Sequence, residues 1–143
     1  MRLESLIGNG FTRFWHMINR LIRSSLHSND FRRNSSLKVT GVFVSELEEQ
    51  IVGMSMAHTW HEYLMSGRKQ IRFSMLEVKL EYRNKSVGKA LFEHTRDWAD
   101  SIGATWFEWY SSQNAIGFYE RLGFQGDANP DPENPYFEIK FER

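Results

Sequence analysis

The run V-K-L-E-Y-R-N-K-S-V-G-K-A, residues 78–90, carries the strongest indication of architecture in this chain. A strand predicted over Ile71–Leu80 ends in it, polar residues typical of a turn follow, and a helix is predicted over Val87–Ile102. Backbone N–H groups of such a turn, together with the helix N-terminus behind it, form a site for an anion such as phosphate. Gly88 lets a phosphate approach the backbone closely. Three basic side chains add positive charge: Arg83, Lys85 and Lys89.

Upstream of this run, the pattern predicts one amphipathic helix and a pair of antiparallel strands. Apolar residues recur at helical spacing from Phe11 to Leu26. Leu37–Ser45 and Gln50–Thr59 are strand-like, with Glu46–Glu49 joining them as a hairpin loop. The polar stretch Trp60–Gln70 is interpreted as a longer loop.

Downstream, a strand is predicted over Ala104–Ser111, a short helix over Asn114–Leu122 and a last strand over Tyr136–Phe141. Antiparallel hairpins therefore come first and a β-helix-β crossover second. This order predicts an α/β (α+β) fold: a mixed, mostly antiparallel central sheet with helices on both faces. With 143 residues and no composition break, we expect a single domain over residues 1–143.

Composition excludes several classes of protein. The chain has no cysteine, which rules out disulfides and cysteine-based zinc sites. His58 and His61 lack a third ligand at suitable spacing, so no metal is expected. No apolar run approaches the roughly 18 residues of a membrane span, and the N-terminus does not resemble a secretory signal. We therefore expect no membrane partner and a cytoplasmic protein, and the aromatic content of 15% is compatible with a homodimer.

The neutral overall charge hides an asymmetry along the chain. Residues 1–40 carry seven basic and two acidic side chains, a net charge of +5, and the remainder has a net charge of −5. A basic segment is typical of a nucleic-acid partner, and equally of a segment that packs against acidic surroundings. We expect the second and no nucleic-acid partner.

Two motifs resemble the GNAT family of N-acetyltransferases. The run R-x-x-S-x-G-K-A, residues 83–90, is similar to the family's acetyl-CoA signature, Arg/Gln-x-x-Gly-x-Gly/Ala. The run A-I-G-F-Y-E-R-L-G-F, residues 115–124, is similar to its A-I-x-F-Y-E-K-L-G-F block. Ser86 replaces the first glycine of the signature, so the turn must avoid a positive φ there or tolerate strain.

The resemblance implies how the co-substrate acetyl-CoA is bound. The pantetheine arm would lie between the strands Ile71–Leu80 and Ala104–Ser111, the N–H of Val78 would polarise the thioester carbonyl, and the pyrophosphate would sit on Asn84–Lys89. The family's CoA-contacting asparagine would fall at Ser112, or at Gln113 if one residue is deleted, and Asn114 is nearby. The implied cofactor-binding residues are Leu76, Glu77, Val78, Arg83, Asn84, Lys85, Ser86, Val87, Gly88, Lys89, Ser112 and Asn114.

The resemblance also implies catalytic residues. Tyr119 stands where the family has its general-acid tyrosine and would donate a proton to the departing thiolate. Glu108 is the candidate general base, since it alternates with Phe107 and Trp109 and so points to the other face of its strand. Glu77 is the second candidate for the base.

The implied function is acetyl transfer from acetyl-CoA to a primary amine of a small molecule or peptide by direct attack. Two alternatives stay open. A catalytically weak CoA-binding regulatory module is suggested by Ser86 and by the lack of an asparagine at the family's CoA-contacting position. An enzyme acting on aminoacylated RNA is suggested by the basic segment 1–40.

Overall fold

The computed structural model describes residues 40–63, 66–129 and 131–143. These ranges contain five strands, two α-helices and two single turns of 3₁₀-helix, the latter at Leu80–Tyr82 and Gln113–Ala115. In chain order the strands and α-helices are β1 (Thr40–Leu47), β2 (Gln50–Tyr63), β3 (Arg68–Val78), α1 (Val87–Ser101), β4 (Trp106–Tyr110), α2 (Ile116–Arg121) and β5 (Tyr136–Lys140).

The five strands form one sheet in the order β1-β2-β3-β4-β5. Neighbouring strands are antiparallel except β3 and β4, which are parallel and connected through α1. The prediction of a mixed, mostly antiparallel sheet with helices is therefore confirmed. Helices were predicted on both faces of the sheet, and the two α-helices among the described residues pack on the same face. The helix predicted over Phe11–Leu26 and the basic segment lie outside the described residues. No helix in the described part of the chain is long and apolar enough to cross a bilayer.

Two loop predictions were wrong, for the same physical reason. The predicted loop Trp60–Gln70 is mostly strand, because β2 and β3 pair as far as Tyr63 and Arg68. The hairpin loop between β1 and β2 was predicted over Glu46–Glu49, but it contains only Glu48 and Glu49, because β1 extends to Leu47. Both loop residues have a positive φ. The ends of these hairpins are held by backbone hydrogen bonds, which leave no hydrophobic pattern in the sequence.

An aromatic core lies between α1, α2 and one face of the sheet. Phe92 of α1 is fully buried against Phe73, Phe107 and Trp109, and the Trp109 ring stacks on Phe137 of β5 at 5.4 Å. Aromatic pairs of this kind contribute roughly 0.5–1.5 kcal/mol each beyond their area burial. This cluster anchors the middle of α1 to β3 and β4.

A second, aliphatic cluster fixes the beginning of α1 beside the end of β3. Val87 and Leu91 pack on Val52 and Val78 there. A Cβ built on Gly53 of β2 would come within 2.8 Å of Leu91, so glycine permits this close approach. The packing places the helix N-terminus next to the last residues of β3.

Candidate active site

The parallel strands β3 and β4 part from each other soon after they meet. They pair only at Gln70 with Trp106, Ile71 with Phe107, and Arg72 with Glu108. Beyond Arg72, β3 continues to Val78 with no described strand beside it on that edge. The sheet therefore opens into a wedge-shaped gap whose closed end is the pair Arg72 and Glu108.

Peptide groups of β3 point into this gap. Lys79 N–H donates to Val52 O at 2.8 Å, which makes the facing residues Val78 and Gly53 a non-hydrogen-bonded pair of the antiparallel ladder. The N–H and C=O groups of Val78 are consequently directed away from β2. Leu76 and Ser55 form the next non-hydrogen-bonded pair, so the N–H and C=O groups of Leu76 are also directed away from β2. The unpaired edge of β3 thus presents backbone donors to the gap, Val78 N–H among them.

Two adjoining cavities follow the gap. The first, the strand-gap cavity, has a volume of about 280 Å³ and lies between residues 73–77 of β3 and the end of β4. The second, the helix-end cavity, has a volume of about 770 Å³ and extends to the beginning of α1. They share five lining residues: Leu76, Glu77, Ser112, Ala115 and Tyr119. The two cavities form one continuous cleft.

Most of the residues predicted to bind the cofactor come together in this cleft. Lys85 and Val87 do not line it: the Lys85 ammonium lies 5.6 Å from the Tyr82 ring centre, and Val87 is buried in the aliphatic cluster. The ten that line the helix-end cavity are Leu76, Glu77, Val78, Arg83, Asn84, Ser86, Gly88, Lys89, Ser112 and Asn114.

Sequence reasoning missed Arg121 as a part of the cleft. Arg121 lines the helix-end cavity from α2, together with Phe118 and Leu122. All three belong to the second motif, residues 115–124. That motif was the available signal, but only its tyrosine was assigned a role.

The beginning of α1 has the properties of an anion site. Ala90 N–H makes the first helical hydrogen bond, to Ser86 O at 3.0 Å, so the N–H groups of Val87, Gly88 and Lys89 have no intrahelical acceptor. No side chain caps the helix. Ser86 has a φ of 63°, which is the left-handed conformation. The signature that the sequence resembles has glycine at this position, so the turn tolerates the strain of a positive φ at a serine. Free donors and the helix dipole favour a bound phosphate here.

Tyr119 stands where the two cavities meet. Its ring packs against Phe92, Trp109 and Phe137 at centroid distances of 5.7, 5.2 and 5.4 Å. Its hydroxyl makes no hydrogen bond to another described residue, and burial raises the pKa of Tyr119. The hydroxyl therefore stays protonated at neutral pH and is available as a donor.

The two candidate bases occupy different surroundings. Glu77 is half-buried and lines both cavities. Glu108 is buried and lines neither. One Glu108 oxygen accepts two hydrogen bonds from Arg72, and the other accepts the Tyr136 hydroxyl at 2.6 Å. The structure thus brings Glu77, and not Glu108, to the cleft.

Among the residues that the structure describes, no group of three or more histidine, aspartate or glutamate side chains is arranged to hold a metal ion. His58 and His61, the two histidines considered in the sequence, both lie in β2.

The sequence places the chain in a known family. The family profile described as the acetyltransferase (GNAT) domain matches residues 38–126. The chain belongs to the GNAT acetyltransferase family and is an N-acetyltransferase. No curated protein sequence matches it significantly.

Solved structures agree with this family in fold. An acetyltransferase from Bacillus cereus ATCC 14579 has a TM-score of 0.61 and 17% identity, covering 88% of this chain and 89% of its own. Arabidopsis thaliana Naa50, in complex with the bisubstrate analogue CoA-Ac-MVNAL, has a TM-score of 0.57 and 20% identity over 70% and 72%. The PaiA N-acetyltransferase of Thermoplasma acidophilum, in complex with coenzyme A, has a TM-score of 0.54 and 20% identity over 71% and 61%.

Proposed function

We propose that the protein transfers the acetyl group of acetyl-CoA to a primary amine of a small molecule or peptide by direct attack. The observation that carries the proposal is the continuous cleft between β3 and β4. It runs from the free N–H groups of α1, past Val78 N–H and Tyr119, to the closed end of the gap. One cleft thus offers sites for a phosphate, an acyl carbonyl and a leaving thiolate.

The residues at the beginning of α1 fit the phosphates of the co-substrate. Arg83 and Lys89 line the helix-end cavity with the three free N–H groups. A Cβ on Gly88 would lie 3.3 Å from the Phe118 ring, so glycine leaves room that a larger side chain would fill. Arg83 Nε donates to Val78 O at 3.1 Å, which ties the phosphate-binding turn to the end of β3.

Acetyl-CoA would supply a thioester, whose carbonyl carbon the acceptor amine attacks. Val78 N–H points into the gap, where it would donate to the carbonyl oxygen as that oxygen gains negative charge. The carbon–sulfur bond then breaks, and the sulfur leaves as a thiolate near Tyr119. Because burial raises the pKa of Tyr119, the hydroxyl stabilises the thiolate mainly by donating a hydrogen bond.

The amine must lose its ammonium proton before it attacks and a second proton afterwards. An alkylamine with a pKa near 10.4 is neutral only about once in 10³ at pH 7, so a nearby base raises the rate. We propose Glu77 for this role, directly or through water, since it lines both cavities. This replaces Glu108 as the preferred base.

The remaining expectations about the whole protein stay predictions: a single domain over residues 1–143, a cytoplasmic location and a homodimer. The proposal of a regulatory module loses one of its two supports, since Ser86 adopts the left-handed conformation in the turn that precedes α1. The RNA-directed alternative depends on residues 1–40, nearly all of which lie outside the described residues.

Thiol release in the presence of acetyl-CoA and a panel of primary amines tests the proposal, with mass spectrometry of the acceptor. We expect release that depends on both the protein and an amine, and a product heavier by one acetyl group. Thermal stabilisation by acetyl-CoA without turnover on any amine or amino-terminal peptide would support the regulatory module instead.

A further inference from the structure

Three basic side chains line the helix-end cavity, and they come from two sides of it. Arg83 and Lys89 belong to the turn before α1 and to α1 itself, whereas Arg121 belongs to α2. Among the described residues that line this cavity, Glu77 is the only acidic one, and it lies in the part shared with the strand-gap cavity. The rest of the helix-end cavity therefore carries positive charge and suits a ligand with several negative charges.

The Arg121 guanidinium is available to a ligand. Arg121 is exposed and makes no hydrogen bond or ion pair with another residue in the described part of the chain. Its side chain folds back over the preceding turn of α2, since the Nη1 atom lies 3.3 Å from the position of a Cβ built on Gly117. Because glycine has no Cβ, the guanidinium has room to lie there. Its N–H donors thus remain without an acceptor at the wall of the cavity.

Arg121 is set apart from the phosphate site at the beginning of α1 and from the reacting groups. Phe118, one turn earlier in α2, lies against Gly88, at 3.3 Å from a Cβ built there. The phenyl ring therefore fills the space between α2 and the N-terminus of α1. Arg121 also lies outside the part that the two cavities share, which contains Tyr119 and Glu77, the proposed acid and base. Its position favours a charged group at a distance from the thioester.

Coenzyme A carries such a group. If the proposed function holds, on which this inference rests, the pyrophosphate lies on the free N–H groups of α1, with Arg83 and Lys89 beside it. The 3′-phosphate of the ribose is a third phosphate group, a monoester with a charge of about −1.5 to −2 at neutral pH. A guanidinium can bind a phosphate through two parallel hydrogen bonds, which an ammonium cannot match in geometry.

We propose that Arg121 binds the 3′-phosphate of coenzyme A, so that the protein distinguishes the coenzyme from its 3′-dephospho form. The size of the helix-end cavity supports this, because a volume of about 770 Å³ lies within the range of roughly 300–1,000 Å³ that encloses a whole small-molecule ligand. One ligand can therefore contact α1 with its pyrophosphate and α2 with its third phosphate. Arg121 is a specificity-determining residue for the co-substrate and takes no part in the transfer of the acetyl group.

The test is isothermal titration of the full chain with coenzyme A and with 3′-dephospho-coenzyme A. Hydrogen bonds between charged groups are weakened by exposure to solvent, so we expect the wild type to bind coenzyme A only about tenfold more tightly. Arg121→Met should bind coenzyme A about tenfold more weakly than the wild type and bind the dephospho form unchanged. Arg68→Met is the matched control, because Arg68 is exposed in β3 and lines neither cavity; it should keep the wild-type preference.

Two further measurements support the interpretation of the titrations. Circular dichroism and a melting curve establish that each variant folds, and Arg121→Lys, which keeps the charge but not the paired donors, should keep part of the preference. A folded Arg121→Met that retains the full preference, or that binds both ligands more weakly by the same factor, would overturn this inference alone. Equal affinity of the wild type for the two ligands would also overturn it alone. A wild type that binds neither coenzyme A nor acetyl-CoA overturns the proposed function and this inference with it.

Discussion

Replacing Tyr119 by phenylalanine separates its chemistry from its packing. The ring contacts Phe92, Trp109 and Phe137 in the core, so a change to alanine would cost roughly 3–5 kcal/mol of stability and obscure any effect on catalysis. Tyr119→Phe keeps the ring and removes only a hydroxyl that has no hydrogen-bond partner among the described residues. We therefore expect the free energy of unfolding to stay the same or to rise by up to about 1 kcal/mol, since a desolvated polar group is lost.

The catalytic effect should be confined to the chemical step. A donated hydrogen bond to the leaving sulfur belongs to the transition state, so kcat should fall while the Kd of acetyl-CoA is unchanged. General-acid contributions span roughly 10²–10⁴. A thiolate leaves readily, with a reference pKa near 8.5, and burial makes Tyr119 a weak acid, so we expect the low end, about 100-fold, or about 2.7 kcal/mol of barrier.

Single-turnover thiol release measures the chemical step, and isothermal titration with acetyl-CoA measures binding. Tyr82→Phe is the matched control, since it deletes the same hydroxyl from a tyrosine that lines neither cavity. A wild-type kcat in Tyr119→Phe would refute this role and leave Tyr119 as a packing residue. A rise in the Kd of acetyl-CoA equal to the loss in kcat/KM would refute it as well.

Three further predictions concern the cleft. Acetyl-CoA at 100 times its Kd should stabilise the fold by about 2.7 kcal/mol. In a thermal-shift assay, Gly88→Asp should abolish this stabilisation. Gly88→Ala should retain most of it, because the added Cβ meets only the Phe118 ring, at 3.3 Å. Ser86→Gly should leave acetyl-CoA binding intact and the free energy of unfolding within about 1 kcal/mol of wild type, because relief of the left-handed strain offsets the added freedom of the unfolded chain. Ser86→Val should have a clearly lower free energy of unfolding in denaturant titrations. Glu77→Gln should lower kcat/KM at pH 7 by roughly 10²-fold or more, with the deficit shrinking as the pH approaches the amine pKa of about 10.4; a constant deficit across the pH range would remove Glu77 as the base.

The local motifs could be read from the sequence because each depends on neighbours in the chain. The turn at residues 83–86 and the beginning of α1 are set by consecutive residues, so R-x-x-S-x-G-K-A was sufficient to predict a phosphate site there. The alternation and periodicity of apolar residues likewise predicted the five described strands, the two described α-helices and their order, including the crossover from β3 to β4.

The roles of the two glutamates depended instead on contacts between distant segments. Alternation correctly placed Glu108 on the face opposite Phe107 and Trp109, but no local pattern indicates that Arg72 and Tyr136 occupy its oxygens. Those partners come from β3 and β5, 36 and 28 residues away in the chain. The strand register brings them together, and the point at which β3 and β4 stop pairing leaves Glu77 in the cleft and Glu108 outside it. Periodicity specifies which face a side chain takes, whereas its neighbours on that face are fixed only when the sheet assembles.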